Sequence, residues 1–229
     1  NKDNIWIIGE GYSTKFTLNA SSIQIFQVGA GGSTGSTRLG YGIVFSDLYF
    51  DGNYPTISAS EGEINGILID GYDHVRISNC YFYNFAGRAI GATVFSEEEY
   101  RKKNIVIDHC VFHKASLTLG GIDGGSLFRS YFLDAPSDAI QNTAIDFSFG
   151  EWENSLVRDF WISECTFNSV YSSEANWDAI IGGLQRIEGG GIVHNIFKDC
   201  TNKPCIYFIN AIAEGKSFYN YGFRIEGNL

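Results

Sequence analysis

Three stretches of six residues share one pattern: ISNCYF at 77–82, IDHCVF at 107–112 and ISECTF at 162–167. Each begins with Ile, has Cys at its fourth position and ends with Phe. Related forms start at Phe45, Leu127, Ile192 and Ile225. Successive starts along the chain are 32, 30, 20, 35, 30 and 33 residues apart. A fixed motif at variable spacing indicates one structural turn per repeat, with insertions in the loops.

The repeats predict an all-β fold without crossover helices. Each repeat divides into short segments rich in Ile, Val, Phe and Tyr, separated by Gly, Asn, Asp or Ser. One such coil does not bury its inner face alone, so coils stack into one continuous core. We therefore expect a single domain over residues 1–229, a parallel β-helix solenoid of about seven or eight coils. We also expect it to be cut at both ends, as a piece of a longer protein.

Two columns of side chains follow from stacking the repeats. Residues at the Ile, Cys and Phe positions should point inward and meet their counterparts one rung away, about 4.8 Å along the axis. The Cys position predicts a buried ladder of small residues, with packing thiols instead of metal ligands; it comprises Cys80, Cys110, Ser130, Cys165, Asn195 and Asn228. The preceding position predicts a solvated polar ridge with modest salt bridges: Asp47, Asn79, His109, Arg129, Glu164 and His194.

Composition excludes some partners. The net charge is −10 with a pI near 4.8, whereas binding to nucleic acid needs clustered Lys and Arg. An acidic polysaccharide would need a bridging divalent cation. No apolar run approaches the roughly 18 residues of a membrane span, so we expect no membrane insertion.

The chain resembles the pectate-lyase-like superfamily of right-handed parallel β-helices. The resemblance rests on IIGEGYSTKFTL (7–18), YGIVFSDLYFDGN (41–53) and the segment 66–90, and it covers nearly the whole chain. That superfamily includes polysaccharide lyases, glycoside hydrolases, epimerases, phage tailspike depolymerases and inert stalks. The resemblance therefore implies the fold and a polysaccharide ligand, and it leaves the activity open.

One motif is similar to a sequence found in pectate lyases. NIVIDHCVF (104–112) resembles their W-I-D-H motif through Asp108 and His109. Val106 stands at the Trp position, and the R-x-P-x-x-R segment that carries the catalytic Arg of that family is absent. The motif alone therefore does not predict a lyase of that type.

A pair of carboxylates is the first catalytic hypothesis. Aligning coils on the Cys position puts SDAI (137–140) and WDAI (177–180) in one column with Leu117 and GRAI. Asp138 and Asp178 would then have Cα atoms about 5 Å apart. Two such carboxylates raise one pKa and supply an acid beside a base or nucleophile, with retaining and inverting geometries both open. Two alternatives are turn residues that cap backbone amides and a shared Ca²⁺ site.

Aromatic and basic side chains near this pair predict sugar contacts. Tyr171 and Trp177 follow the ISECTF repeat in an insertion and provide stacking faces. Trp152 lies in the longest insertion, DFSFGEWENS (146–155), an acidic and aromatic loop suited to a glycan. Arg88 shares the column of Asp138 and is predicted to hold an acidic sugar.

These observations favour a β-helix that binds and cleaves a polysaccharide, as a glycoside hydrolase or a lyase, either secreted or carried on a virion tail. The alternative is a non-catalytic stalk or adhesin that binds glycan or assembles with sister chains. The 18 Phe and 13 Tyr residues allow an apolar outer strip that would suit a homotrimer.

Overall fold

Short parallel strands make up most of the described chain. The structure is a computed structural model that describes residues 3–19, 24–29, 40–54, 65–92, 101–134, 143–147, 156–170, 180–184, 187–200, 205–208, 212–213, 216–217 and 221–229. Within these ranges the one helical element is a 3₁₀ turn, Gly11–Ser13. No helix in the described ranges has the length and hydropathy to cross a membrane.

The strands are numbered in chain order. They are β1 Ile5–Ile8, β2 Lys15–Thr17, β3 Gln24–Val28, β4 Gly40–Ser46, β5 Tyr49–Asp51, β6 Asn65–Ile69, β7 Tyr72–Ser78, β8 Tyr81–Tyr83, β9 Arg88–Ala92, β10 Lys102–Asp108, β11 Val111–His113, β12 Ser116–Leu119, β13 Ile122–Phe128, β14 Tyr131–Leu133, β15 Ile145–Asp146, β16 Val157–Ser163, β17 Thr166–Asn168, β18 Ile181–Leu184, β19 Ile187–Glu188, β20 Gly191–Val193, β21 Ile196–Lys198, β22 Ile206–Phe208, β23 Ile212–Ala213, β24 Lys216–Ser217 and β25 Arg224–Glu226.

Three parallel sheets run the length of the molecule. Sheet A has the order β1-β4-β7-β10-β13-β16-β20-β25, with β19 also on β16; sheet B is β2-β5-β8-β11-β14-β17-β21; sheet C is β22-β18-β15-β12-β9-β6-β3. Only β23 and β24 pair antiparallel among the described strands. Each strand therefore neighbours its counterpart one coil away, as in a right-handed parallel β-helix. The predicted fold is confirmed, with seven coils and the first strand of an eighth.

A column of phenylalanines fills the interior behind sheet B. Successive ring centroids are 4.7–5.9 Å apart with interplanar angles of 5–26°. Its members are Phe16, Phe50, Phe82, Phe112, Phe132, Phe167 and Phe197. Stacked aromatic pairs contribute about 0.5–1.5 kcal/mol beyond their buried area. The predicted inward Phe position is confirmed.

The ladder of small residues satisfies backbone groups at the bend between sheets A and B. The N–H of Cys110 donates to Ser130 Oγ at 3.2 Å, and that of Cys165 donates to Asn195 Oδ1 at 2.9 Å. The N–H of Asn195 donates in turn to Asn228 Oδ1 at 2.9 Å. Burial raises the pKa of the Cys165 thiol to about 12, so this thiol stays protonated and unreactive. Its predicted packing role is confirmed.

Sheet C differs from the prediction in its register. Leu117 pairs with Ile145, and Ile145 pairs with Ile181. SDAI (137–140), which was expected on this rung, lies outside the described residues, and the rung next to Leu117 is formed by Ile145 of β15. Asp146 is also not part of an insertion loop: it lies in β15 and is 9% exposed.

Candidate functional site

The bend between sheets A and B carries a column of polar residues, which we call the ridge. Its members are Asp47, Asn79, His109, Arg129, Glu164 and His194. All have φ between 45° and 58°, and each N–H donates to a carbonyl of the next coil, as His109 does to Phe128 at 3.0 Å. This left-handed conformation costs roughly 1–2 kcal/mol for most L-residues. The predicted polar ridge is confirmed, including an ion pair between Arg129 and Glu164 at 2.8 Å.

Three side chains meet where the ridge joins sheet A. Asp108 ends β10, and its side chain is 10% exposed. Arg76 of the neighbouring strand β7 donates from Nε to Oδ1 and from Nη2 to Oδ2, both at 3.1 Å. His109 Nδ1 lies 3.1 Å from the same Oδ2. One nearly buried carboxylate therefore holds a guanidinium and an imidazole, whose side chains are 57% and 47% exposed.

The shared carboxylate fixes what each partner offers to a ligand. Because Asp108 is an acceptor, His109 donates from Nδ1 and directs the lone pair of Nε2 away from the carboxylate. Asp108 engages two of the three nitrogens of Arg76, and Nη1 carries two further N–H groups. A guanidinium with free donors binds a carboxylate well. The arrangement combines an anion-binding group with a base.

The sequence carries a signal for this cluster, but it is not a local motif. Arg76 lies 32 residues before Asp108, so no local motif joins them. The coil register does so, because Val106 pairs with Arg76 and Asp108 pairs with Ser78. A long side chain on β7 thus reaches the end of β10 across one rung. The local Arg-containing segment is absent from the sequence, but the fold supplies a guanidinium from another coil.

Arg88, predicted to hold an acidic sugar, lies inside the molecule. It begins β9 of sheet C and is 3% exposed. Every residue of β6, β9, β12 and β15 is buried, so this part of sheet C has no open face. Desolvation lowers the pKa of Arg88 to about 10, and the charge of Asp146 opposes that shift. This environment favours a structural role for the guanidinium.

The other predicted site residues lie outside the described residues, so their roles stay predictions: Asp138, Asp178, Trp152, Tyr171 and Trp177. The strand pairing in sheet C gives reference positions for Asp138 and Asp178 in the sequence. Asp138 precedes Ile145 by seven positions, whereas Asp178 precedes Ile181 by three, and these two isoleucines are the paired residues. In the sequence, the two aspartates are therefore at unequal distances from the paired isoleucines.

The predicted Ca²⁺ has few ligands within the described ranges. No group of three or more His, Cys, Asp or Glu side chains there is arranged to hold a metal ion. Asp70, which follows β6, is 1% exposed, and neither carboxylate oxygen has a hydrogen-bond partner. Ca²⁺ prefers six to eight oxygen ligands, and one carboxylate does not make such a site. Ca²⁺ stays a prediction.

Comparisons with known proteins add little to this description. No protein-family model matches the chain, and no curated protein matches it. Among solved structures it is similar to the A-module of the mannuronan C-5 epimerase AlgE4 from Azotobacter vinelandii. The match has 15% identity and a TM-score of 0.35, and it covers 99% of this chain and 72% of the A-module.

Proposed function

We propose that this β-helix binds a uronate-containing polysaccharide at the junction of sheet A and the ridge and cleaves it by β-elimination. The observation that carries the proposal is the Asp108 carboxylate, which holds Arg76 and His109 side by side with both side chains about half exposed. Arg76 binds the uronate carboxylate. His109 is the base.

Elimination needs these two groups together. The hydrogen on C-5 of a uronate is acidic only when the charge of the adjacent carboxylate is neutralised, which a guanidinium does. The Nε2 lone pair of His109 takes this hydrogen as a proton. The electron pair of the broken C–H bond forms the C4–C5 double bond, and the glycosidic oxygen on C-4 departs with its own electron pair and takes a proton from water. Positioned bases of this kind contribute about 10²–10⁴-fold to rate.

The overall charge of −10 opposes the approach of such a polymer. Arg76 and Arg129 provide positive charges on either side of His109, across three successive coils, and each is paired with one carboxylate, Asp108 or Glu164. A divalent cation that bridges polymer and protein, as predicted from the composition, would ease the approach. We propose that the activity is located outside the cell, on a secreted protein or on a virion tail, because that is where a polysaccharide substrate would be degraded.

Two alternatives remain part of the proposal. Hydrolysis by Asp138 and Asp178, with Trp152, Tyr171 and Trp177 as sugar contacts, would give saturated products. A non-catalytic stalk or adhesin, as a monomer or a homotrimer, is favoured by exposed aromatic side chains along sheet A: Trp6 at 70%, Tyr41 at 37% and Trp161 at 37%. Aromatic side-chain faces can bind a sugar without catalysing a reaction.

The test is depolymerisation of a panel of uronate and neutral polysaccharides, followed by reducing ends and by ultraviolet absorbance of the C4–C5 double bond. We expect unsaturated products from a uronate polymer, with a loss of about 10²-fold or more in His109→Asn and a raised KM in Arg76→Gln. Asn suits the left-handed conformation of residue 109.

His194→Asn is the matched control, because His194 has the same ridge position and φ of 57° but follows Val193 in place of Asp108. Its activity should equal that of the wild type. Saturated products that disappear in an Asp138→Asn, Asp178→Asn double variant would favour hydrolysis. Binding without cleavage of any polymer would favour the adhesin.

A further inference from the structure

A second chain of hydrogen-bonding groups crosses three coils on the outer face of sheet B. Tyr81 begins β8, His113 ends β11 and Asp134 follows β14. The Tyr81 hydroxyl lies 2.9 Å from His113 Nδ1. On the other side of the ring, His113 Nε2 lies 3.3 Å from Asp134 Oδ2. These three residues come from different repeats.

The order of the groups fixes the direction of the hydrogen bonds. The Asp134 carboxylate lies 3.3 Å from Nε2, and its negative charge favours the N–H on that nitrogen of His113. His113 Nδ1 is then the unprotonated nitrogen, and the Tyr81 hydroxyl donates to it. A hydroxyl bonded to a base that is oriented by a third group is the general signature of an activated nucleophile.

Aromatic rings surround the hydroxyl end of this chain. The Tyr49 ring stacks on that of Tyr81 at 5.2 Å, and Tyr12 meets it edge-on at 5.2 Å. The Tyr83 ring contacts His113 at 5.2 Å. Partial exclusion of water by such rings strengthens the hydrogen bonds. Burial, and then Tyr49, raise the pKa of Tyr81, so the phenol keeps its proton until His113 takes it.

We propose that Tyr81, His113 and Asp134 form a nucleophile, base and orienting group for acyl transfer, and that the substrate class is an ester substituent on a glycan. The site is separate from the one formed by Arg76, Asp108 and His109, and it does not depend on elimination there.

The reaction has two balanced steps. The Tyr81 oxygen bonds to the acyl carbon while its proton moves to His113 Nδ1, and Asp134 stabilises the imidazolium. The bond from the acyl carbon to the sugar oxygen breaks, and that oxygen takes the proton from Nδ1. Water then attacks the acyl-tyrosine, gives its proton to Nδ1 and releases the carboxylic acid, and the Tyr81 oxygen recovers the proton. A phenol leaves more readily than an alkyl hydroxyl, so the acyl-tyrosine should not accumulate.

A stable adduct therefore makes the better test. The full chain is treated with phenylmethylsulfonyl fluoride at neutral pH, and modified tyrosines are located and timed by peptide mass spectrometry. We expect Tyr81 to react at least about 10-fold faster than Tyr131, since a positioned base contributes about 10²-fold or more. Tyr131 is the matched control: it lies in the same column two coils away and is 51% exposed.

Variants then test the order of the groups. His113→Gln should remove the preference for Tyr81, and Asp134→Asn should reduce it while suiting the left-handed φ of 47° at that position. Hydrolysis of p-nitrophenyl acetate should fall in Tyr81→Phe and stay unchanged in Tyr131→Phe. Equal reaction of Tyr81 and Tyr131, or a Tyr81 rate unaffected by His113→Gln, would overturn the proposal. The labelling rate of Tyr81 and the formation of unsaturated products are separate readouts, so failure of one site is distinguished from failure of the other.

Discussion

Replacing Asn195 by Ala should destabilise the β-helix more than the removal of any single surface contact would. Asn195 is fully buried in the small-residue ladder. Its Oδ1 accepts the N–H of Cys165 at 2.9 Å, and its Nδ2 donates to Ile162 O and Asn228 Oδ1, both at 3.0 Å. The substitution removes all three bonds and leaves a buried N–H without a partner.

The magnitude follows from those bonds. An unsatisfied buried donor costs about 1–3 kcal/mol, and each lost neutral hydrogen bond about 0.5–1.5 kcal/mol. We expect a loss of about 3 kcal/mol, which for a chain of this length lowers Tm by about 6–12 °C. Asn195→Ser should recover about half of the loss, because Ser130 makes the equivalent bond to Cys110 N–H in an earlier coil.

Thermal unfolding followed by circular dichroism measures these differences, with Lys198→Ala as a control on an exposed side chain of the same coil. The expected order of Tm is control, Ser variant, then Ala variant. A Tm for Asn195→Ala within about 2 °C of the wild type, less than 1 kcal/mol, would refute the role given to the ladder. So would a Ser variant that is no more stable than the Ala variant.

Three further predictions concern the interior. Folding raises the pKa of the Cys165 thiol to about 12, so as pH rises this thiol ionises first in the unfolded state. The free energy of unfolding should therefore be unaffected below about pH 8.5. Above that pH it should fall by up to about 1.4 kcal/mol per pH unit. Urea unfolding should show this slope reduced in Cys165→Ser. Gly125→Ala should lower the free energy of unfolding by about 3 kcal/mol or more, because φ is 151° and the new Cβ would lie 2.2 Å from a backbone oxygen of the neighbouring coil. Gly11→Ala, whose new Cβ would have no atom within 4 Å, should lower it by about 1 kcal/mol in the same urea assay. Arg88→Ala should cost about 3–5 kcal/mol by uncovering the charge of Asp146; a double-mutant cycle that shows no coupling between the two would contradict this.

The sequence predicted the fold because one motif recurs in each successive coil from β4 onward. The inward Ile and Phe positions and the small residue between them each occupy one column, so that aligning six copies gives the register of sheets A and B directly. The same alignment did not give the register of sheet C at β15. The number of residues between the motif and the following sheet C strand is not constant. From the sequence, either of two Ala-Ile pairs, ending at Ile140 and at Ile145, could be aligned with Leu117. Ile145 pairs with Leu117.

The candidate sites were harder to predict than the fold. Asp108 and His109 are adjacent in the chain and visible as a motif, but their guanidinium partner Arg76 comes from the preceding coil. The same holds for Tyr81 and His113, which are 32 residues apart. Such contacts depend on the direction in which long side chains extend from one coil to the next, and the residue spacing in the sequence does not give that direction.

A uronate oligomer deuterated at C-5 tests whether His109 abstracts the C-5 proton. The rate of double-bond formation by the full chain would be compared for the deuterated and ordinary oligomers. We predict unsaturated product from both, formed more slowly from the deuterated one, and almost none from His109→Asn. Saturated products, or an unchanged rate of double-bond formation in His109→Asn, would contradict the assignment.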